Sequence, residues 1–309
     1  MAAPFDYFVI LADMRTGSNF LEANLEEFPG IKSHGELFNP HFIGSPGNTE
    51  ALGKTLKQRE ADPLALLEKL RKAPKGIHGF RLFRDHDQRA IDFCLNDRRC
   101  AKIVLTRNPL DSYVSREIAR KTNQWRLGDM KHAKTARITF DAKRFEEHLS
   151  SQQAFYMRVH RALQTSGQTA FHIDYEDIPE IEVLNGLARF LGADGERKKT
   201  TKKIKKQNPQ TLEEKVENFA EMKAILSQAD HFFLNRIPSF EPRRGPMIPA
   251  YMAAPESPVL FMPIKSGPTD TVRRWLAGLD GRALEDVIDG FTQKELRKWK
   301  RRSRGHLTF

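Results

Sequence analysis

The stretch Phe5-Asp-Tyr-Phe-Val-Ile-Leu-Ala-Asp-Met-Arg-Thr-Gly-Ser-Asn-Phe20 decides the fold. Its first eight residues are a short, bounded, mostly apolar run, the pattern of a strand buried on both faces of a parallel sheet. Asp13 to Ser18 then turns through a glycine, after which Phe20, Leu21, Leu25 and Phe28 recur at the spacing of one helical face. A strand, a glycine turn and a helix start together aim backbone N–H groups at one point, a ready anion cradle. Arg15 adds a charge-assisted clamp and Ser18 a hydroxyl donor. Taken alone, this loop is also compatible with an ordinary tight turn. It contains neither G-x-x-x-x-G-K-[ST] nor G-x-G-x-x-G, so the nucleotide-hydrolase and dinucleotide signatures are both absent.

The same alternation continues downstream. Gly76 to Phe83 and Ala101 to Thr106 read as strands, with a helix from Asp87 to Leu95 between them. Another helix is expected after Asn108-Pro109, because proline suits the first helical position. Phe145 to Leu163 has long helical periodicity, and Ala170 to Asp174 reads as a further strand. This order predicts an α/β fold built on a mainly parallel sheet flanked by helices. Eight of the 17 prolines fall between Pro238 and Pro268. Residues 1–240 are therefore expected to form the catalytic-sized domain, and 241–309 a Pro-rich linker and basic C-terminal extension. Within that extension, Val259 to Thr269 echoes a strand and phosphate loop. Pro268 removes a donor N–H there and no second Arg…Ser pair follows, so no second site is assigned.

With 309 residues and 39% hydrophobic side chains, the chain can build a sizeable core. No apolar run approaches the roughly 20 residues that span a bilayer, and Met1-Ala-Ala-Pro-Phe-Asp lacks the features of a signal peptide. The two cysteines, Cys94 and Cys100, form neither a disulfide framework nor a metal-ligand spacing. A cytoplasmic protein is the expectation. The net charge of +11 is confined to two runs, Arg197 to Lys206 and Lys294 to Arg304, each with seven basic residues. The rest of the chain holds 37 basic against 39 acidic residues, close to neutral. Such runs suit anionic ligands, and the tail around Trp299 suits peripheral contact with acidic lipid headgroups. They also read as solvated basic loops. No aromatic platform or recognition-helix pattern accompanies them, so no specific nucleic-acid partner is expected.

A second motif follows the third strand, in Arg107-Asn-Pro-Leu-Asp-Ser-Tyr-Val-Ser115. Arg107 stands at the carboxyl end of its strand, where open α/β sheets place ligands. Ser115 lies about two turns into the next helix, within reach of the same crevice. By itself this is an ordinary helix start with Pro109 and Asp111.

The two motifs together resemble the sulfotransferases that use 3'-phosphoadenylyl sulfate (PAPS). Phe8 to Phe20 is similar to that family's 5'-phosphosulfate loop, and Arg107 to Ser115 to its 3'-phosphate motif. Ser33-His-Gly-Glu-Leu-Phe-Asn-Pro40, Gln124-Trp125 and Asn218-Phe-Ala-Glu-Met222 are similar to the bacterial nodulation-factor type of carbohydrate sulfotransferase. The resemblance implies a P-loop-NTPase-like fold with PAPS as donor co-substrate and no metal. It assigns the 5'-phosphosulfate to Arg15, Thr16, Gly17, Ser18, Asn19 and Phe20, and the 3'-phosphate to Arg107 and Ser115. Arg15 stands where many members carry lysine. Tyr175 matches a tyrosine that approaches the adenine, and Lys205 and Lys206 fall where relatives close a loop over the 3'-phosphate. The acceptor implied is a carbohydrate or glycolipid, with Arg84 and Trp125 lining its pocket, and a homodimer is compatible with the resemblance.

Transfer to a hydroxyl needs a general base. Glu36 matches the glutamate of the bacterial carbohydrate type, and is otherwise a loop carboxylate. His86 stands where the small-molecule branch keeps a catalytic histidine, and is otherwise a strand-end histidine bonding backbone. Both stay open. Two other classes are weighed against this one: a P-loop-like nucleoside or sugar kinase, which lacks its Gly-Lys-Ser/Thr here, and a non-catalytic anion-binding scaffold.

Overall fold

The computed structural model describes residues 5–124, 136–201 and 210–228. Its frame is a five-stranded parallel sheet made of β1 (Tyr7–Ala12), β2 (Ile31–Ser33), β5 (Ile77–Phe83), β6 (Cys100–Thr106) and β7 (Phe171–Asp174). The strand order is β2-β5-β1-β6-β7, so the chain leaves the central strand toward one edge and later crosses it to the other. Every residue of β1 and β5 is buried, because helices cover both faces of the sheet.

Alternation along β1 sorts the two cores. Tyr7, Val9 and Leu11 pack with Leu66, Leu67 and Leu70 of α3 (Pro63–Arg71), Ile91 and Leu95 of α4 (Gln88–Asn96), and Phe155 and Val159 of α6 (Ala142–Ser166). Phe8, Ile10 and Ala12 point the other way, onto Leu21 and Leu25 of α1 (Ser18–Leu25) and Leu184 and Leu187 of α7 (Ile181–Phe190). Gly79 of β5 faces this second core. A Cβ there would lie 2.4 Å from the Phe8 ring, so only glycine lets the two strands pair at that register.

Helix starts follow local chemistry. Pro109 occupies the first position of α5 (Pro109–Thr122), and Asn108 Oδ1 accepts the N–H groups of Leu110 and Asp111. Asp141 caps α6, which ends on Gly167 at φ 63°. The strands and helices expected between Phe5 and Asp174 are present, and the strand-like stretch from Val259 lies outside the described residues. Three features were not legible. β2 has three residues, too few to show a period. The hairpin β3 (Glu50–Ala51) and β4 (Lys54–Thr55) has two residues a side. α2 (Leu56–Ala61) and α3 abut at Asp62, which caps the second.

The chain divides into two compact units, Met1–Glu217 and Asn218–Phe309. The first ends with the one-turn α8 (Leu212–Lys215), whose following residue Val216 bridges to Ile138. In the second, α9 (Phe219–Gln228) is preceded by Asn218, whose amide donates to Glu221 at 2.9 Å. Residues 241–309, expected as the Pro-rich extension, lie outside the described residues. No helix among the described residues is long and apolar enough to cross a membrane.

Candidate active site

All five strands run the same way, so their carboxyl ends open on one edge of the sheet. That edge gathers the Asp13–Gly17 loop after β1, Glu36 after β2, Arg84 and His86 after β5, Arg107 after β6 and Tyr175 after β7. Residues 160 positions apart in sequence thereby share one crevice, the place where open α/β sheets bind ligands.

The loop after β1 is tightly wound. Gly17 caps α1 at φ 91°, and Arg15 also takes a left-handed conformation, at φ 66°. Such a conformation costs a non-glycine residue of order 1–3 kcal/mol and clusters at functional sites. Thr16 Oγ1 donates to the Asp13 carbonyl at 2.7 Å, and the Phe20 N–H to the Gly17 carbonyl at 2.9 Å. Thr16 and Phe20 thus hold the loop in shape. The N–H groups of Gly17, Ser18 and Asn19 sit at the helix start, where no intrahelical acceptor exists. Asp13 is buried, takes the Met14 N–H at 2.7 Å and pairs with Arg84 Nε at 3.2 Å.

The two motifs read from the sequence meet in space. Arg15 Nε donates to Ser115 Oγ at 3.0 Å, and Arg107 donates through Nη1 to the Arg15 carbonyl at 2.7 Å. The Arg107 guanidinium lies 4.2 Å from the centre of the Tyr175 ring, a cation–π contact. That ring also covers Gly17, where a Cβ would come within 2.4 Å of it. Burial and the neighbouring Arg107 push the Arg15 guanidinium down to about 10, so it stays charged at neutral pH. Arg107 Nε is buried and makes no hydrogen bond, a donor left over in the crevice.

Glu36 is held at the other side of the crevice. Its backbone pairs with Gly44 in both directions, at 2.8 and 3.0 Å. The turn requires Gly35, because a Cβ there would lie 2.1 Å from the Gly44 carbonyl oxygen. One oxygen of the Glu36 carboxylate meets Arg81 Nη1 at 3.1 Å. The other accepts from Asn39 Nδ2 at 2.7 Å and stands 3.6 Å from His86 Nε2. Burial works to raise this carboxyl, and His86, Arg81 and Asn39 outweigh it, so it lies below the usual carboxylate range. The loop behind it is pinned by Arg59 of α2, whose Nη1 donates to the carbonyls of Leu37, Asn39 and Phe42.

His86 lies three residues beyond the end of β5, in the turn before α4, and its side chain is fully buried. Its Nδ1 accepts the Phe83 N–H at 3.2 Å. A backbone N–H can only donate, so the neutral ring carries its proton on Nε2, the nitrogen that faces Glu36. Trp125, Lys205 and Lys206 lie outside the described residues. Sequence reasoning missed Arg81, Glu22, Asn39 and Arg59. The signal for Arg81 was present: a charged residue inside the apolar run Ile77–Phe83 must find a partner when that run is buried.

No family model matches the chain. It is 28% identical to nodulation protein H of Rhizobium tropici over 222 residues, covering 70% of this chain and 87% of that protein. Nodulation protein H of Rhizobium meliloti (strain 1021) is 27% identical over 225 residues, 70% of this chain and 89% of the relative. Over most of the length of both relatives, the chain is thus similar to nodulation protein H. Among solved structures, a sulfotransferase from Alicyclobacillus acidocaldarius aligns with 74% of this chain and 92% of its own, at 16% identity and a TM-score of 0.40. Among the described residues, no group of three or more His, Cys, Asp or Glu side chains is arranged to hold a metal ion.

Proposed function

We propose that this chain is a sulfotransferase that takes its sulfuryl group from PAPS and places it on a hydroxyl of a carbohydrate or glycolipid. The observation that carries the reading is the convergence of Arg15, Arg107 and Ser115 at the end of the central strands. A donor with phosphate groups at both ends of its ribose needs two anion sites a few ångströms apart, and the crevice holds two arginines in contact. The fit extends to the orphaned Arg107 Nε and to the glycine turn, whose N–H groups have no acceptor of their own. Arg107 and Ser115 would hold the 3'-phosphate, and Arg15 with the Gly17–Asn19 turn the 5'-phosphosulfate. Tyr175 stacks on Arg107 and would border the adenine.

PAPS supplies a sulfuryl group on a phosphate leaving group. The chain's own residues do the rest. Glu36 accepts the proton of the attacking hydroxyl as the oxygen–sulfur bond to the acceptor forms and the sulfur–oxygen bond to the phosphate breaks. Arg15 stabilises the charge that passes to the leaving adenosine 3',5'-bisphosphate (PAP), with donors already in place. Glu36 is favoured over His86 because the His86 Nδ1 is committed to backbone and its Nε2 carries a proton. His86 then orients Glu36 rather than acting as base. Arg84, tied to Asp13, borders the acceptor side.

Calorimetric titration with PAP, and with ADP as control, tests the donor site. The expected result is strong binding of PAP and little response to ADP. Equal or preferential binding of ADP would overturn the reading and favour a kinase. Transfer of radiolabelled sulfate from PAPS to a panel of neutral oligosaccharides and glycolipids tests the acceptor class, and Glu36→Gln should abolish it while leaving PAP binding intact.

A further inference from the structure

Arg81 is 5% exposed and sits in the middle of β5, paired in register with Ile10 of the central strand. It lies on the sheet face that α1 covers, and three groups converge on it. Glu22 Oε2 of α1 is 3.2 Å from Nε, an ion-pair contact rather than an aligned hydrogen bond. Glu36 Oε1 is 3.1 Å from Nη1. The same Nη1 reaches Ser18 Oγ, in the first turn of α1, at 3.5 Å. The other oxygen of Glu22 accepts from Ser33 Oγ at 2.6 Å and from the Gly35 N–H at 3.0 Å, and the Arg81 N–H donates to the Gly35 carbonyl at 2.7 Å. A buried guanidinium between two carboxylates is thus bolted to the residue that precedes Glu36.

We propose that Arg81 is a positioning residue: anchored by Glu22, its guanidinium spans from Ser18 of the donor loop to the Glu36 carboxylate and fixes base and donor at one separation. The inference rests on the reading of Glu36 as base for its catalytic meaning, although the geometry stands without it. A buried ion pair is weak evidence for stability by itself, since hydrophobic replacements often do as well. Here the pairing joins the two halves of the site, the anion loop after β1 and the base loop after β2. Glu22 also reaches Ser33 and Gly35 from α1, and Arg81 is the charged side chain among the described residues that meets both Ser18 and the Glu36 carboxylate itself. The groups facing Glu36 are Arg81 from β5, His86 from the turn after β5, Asn39 from its own loop, and Glu22 and Ser18 of α1 across Arg81.

The test is a carboxyl-carbon NMR titration of the full chain labelled in its glutamate side chains, with Glu36→Gln identifying the Glu36 signal. In Arg81→Gln the Glu36 midpoint should rise by about 1 to 3 pH units, the range by which a close cation lowers a carboxyl. Arg81→Lys should restore most of the wild-type midpoint, and PAP titration should show an intact donor site in both variants. Sulfate transfer should fall roughly 100-fold in Arg81→Gln, the lower range of a general base's contribution, and recover in part in Arg81→Lys. A second readout needs no substitution: in the wild-type chain the Arg81 guanidinium N–H signals should follow the same midpoint as the Glu36 carboxyl. An unmoved Glu36 midpoint in Arg81→Gln, or no common midpoint in the wild type, overturns the proposal. Continued transfer by Glu36→Gln would instead sink the reading of Glu36 as base and leave the titration result standing.

Discussion

Arg15 Nε and Ser115 Oγ meet at 3.0 Å although a hundred residues separate them in the chain. The contact exists because β1 and β6 are neighbours in the sheet, so the loop after one and the helix after the other start side by side. Arg107 closes the set by donating to the Arg15 carbonyl. The Ser115 oxygen accepts from Arg15 Nε, which leaves its O–H free to donate to an incoming phosphate oxygen. Ser115→Ala should therefore weaken PAP binding by about 1 kcal/mol, the net worth of a typical hydrogen bond, whereas Arg107→Ala should cost about 1.5–3 kcal/mol because its partner is charged. Calorimetry on the two variants checks the ranking, and an Arg107→Ala protein that binds PAP as the wild type does would contradict it.

Gly17 offers a sharper probe of the donor loop. An alanine there would be strained at φ 91° and would bring its Cβ to 2.4 Å from Tyr175 Cδ2. The two effects separate in a double-mutant cycle. Gly17→Ala should lower both thermal stability and PAP affinity. Adding Tyr175→Ala should remove the steric part and leave the backbone part, of order 1 kcal/mol or more. Thermal melts and PAP titrations on the four proteins measure the coupling, and strict additivity would show that the Tyr175 ring does not bear on Gly17.

Much of the fold around this site is readable in the sequence. The run from Tyr7 to Ala12 showed as a strand because burial on both faces leaves it uniformly apolar, and the glycine turn behind it followed from chain geometry. Glu36 was legible only through resemblance: nothing in His34-Gly-Glu-Leu marks a carboxylate whose partners, Arg81 and His86, come from a strand and turn more than forty residues on. The edge strand β2 escaped for a related reason. Three residues carry no period, and what makes Ile31–Ser33 a strand is its pairing with Ile77–Gly79. Long-range pairing of this kind is invisible to local pattern, and it is what places Glu36.

The surroundings of Glu36 set a pH limit. Its carboxyl is held below the ordinary 4.5 by His86, Arg81 and Asn39 against the opposing effect of burial. With Glu36 as the proposed base the active form is the carboxylate, so activity should be full above the folded-state value and lost as pH falls through it. The acid limb of kcat/KM should therefore lie below pH 4.5, and Asn39→Ala, which removes a donor 2.7 Å from Oε2, should move that limb upward. The pH profile of sulfate transfer measures this. An acid limb near pH 6.5 in the wild type would point to a histidine as base.

His148 should govern stability in mild acid. It is buried on α6, where Nδ1 accepts from Arg116 at 3.1 Å, so the neutral ring carries its proton on Nε2 and donates it to Ser112 Oγ at 3.2 Å. Ser112 in turn donates to the Pro109 carbonyl at 2.9 Å, which ties α6 to the first turn of α5. Burial, then the charges of Arg116 and Arg84, push this histidine down to about 3. The unfolded chain protonates it near 6.5, so unfolding takes up a proton at any pH between those values. The contribution of His148 to stability is complete above pH 6.5 and declines toward pH 3, by about 1.4 kcal/mol per pH unit where the two states differ by one proton. Denaturant unfolding of the wild type and of His148→Gln at pH 7 and pH 5 should show a smaller loss of stability on acidification in the variant. Equal losses would mean that His148 is already protonated in the folded protein, against the placement of Arg116 on its Nδ1.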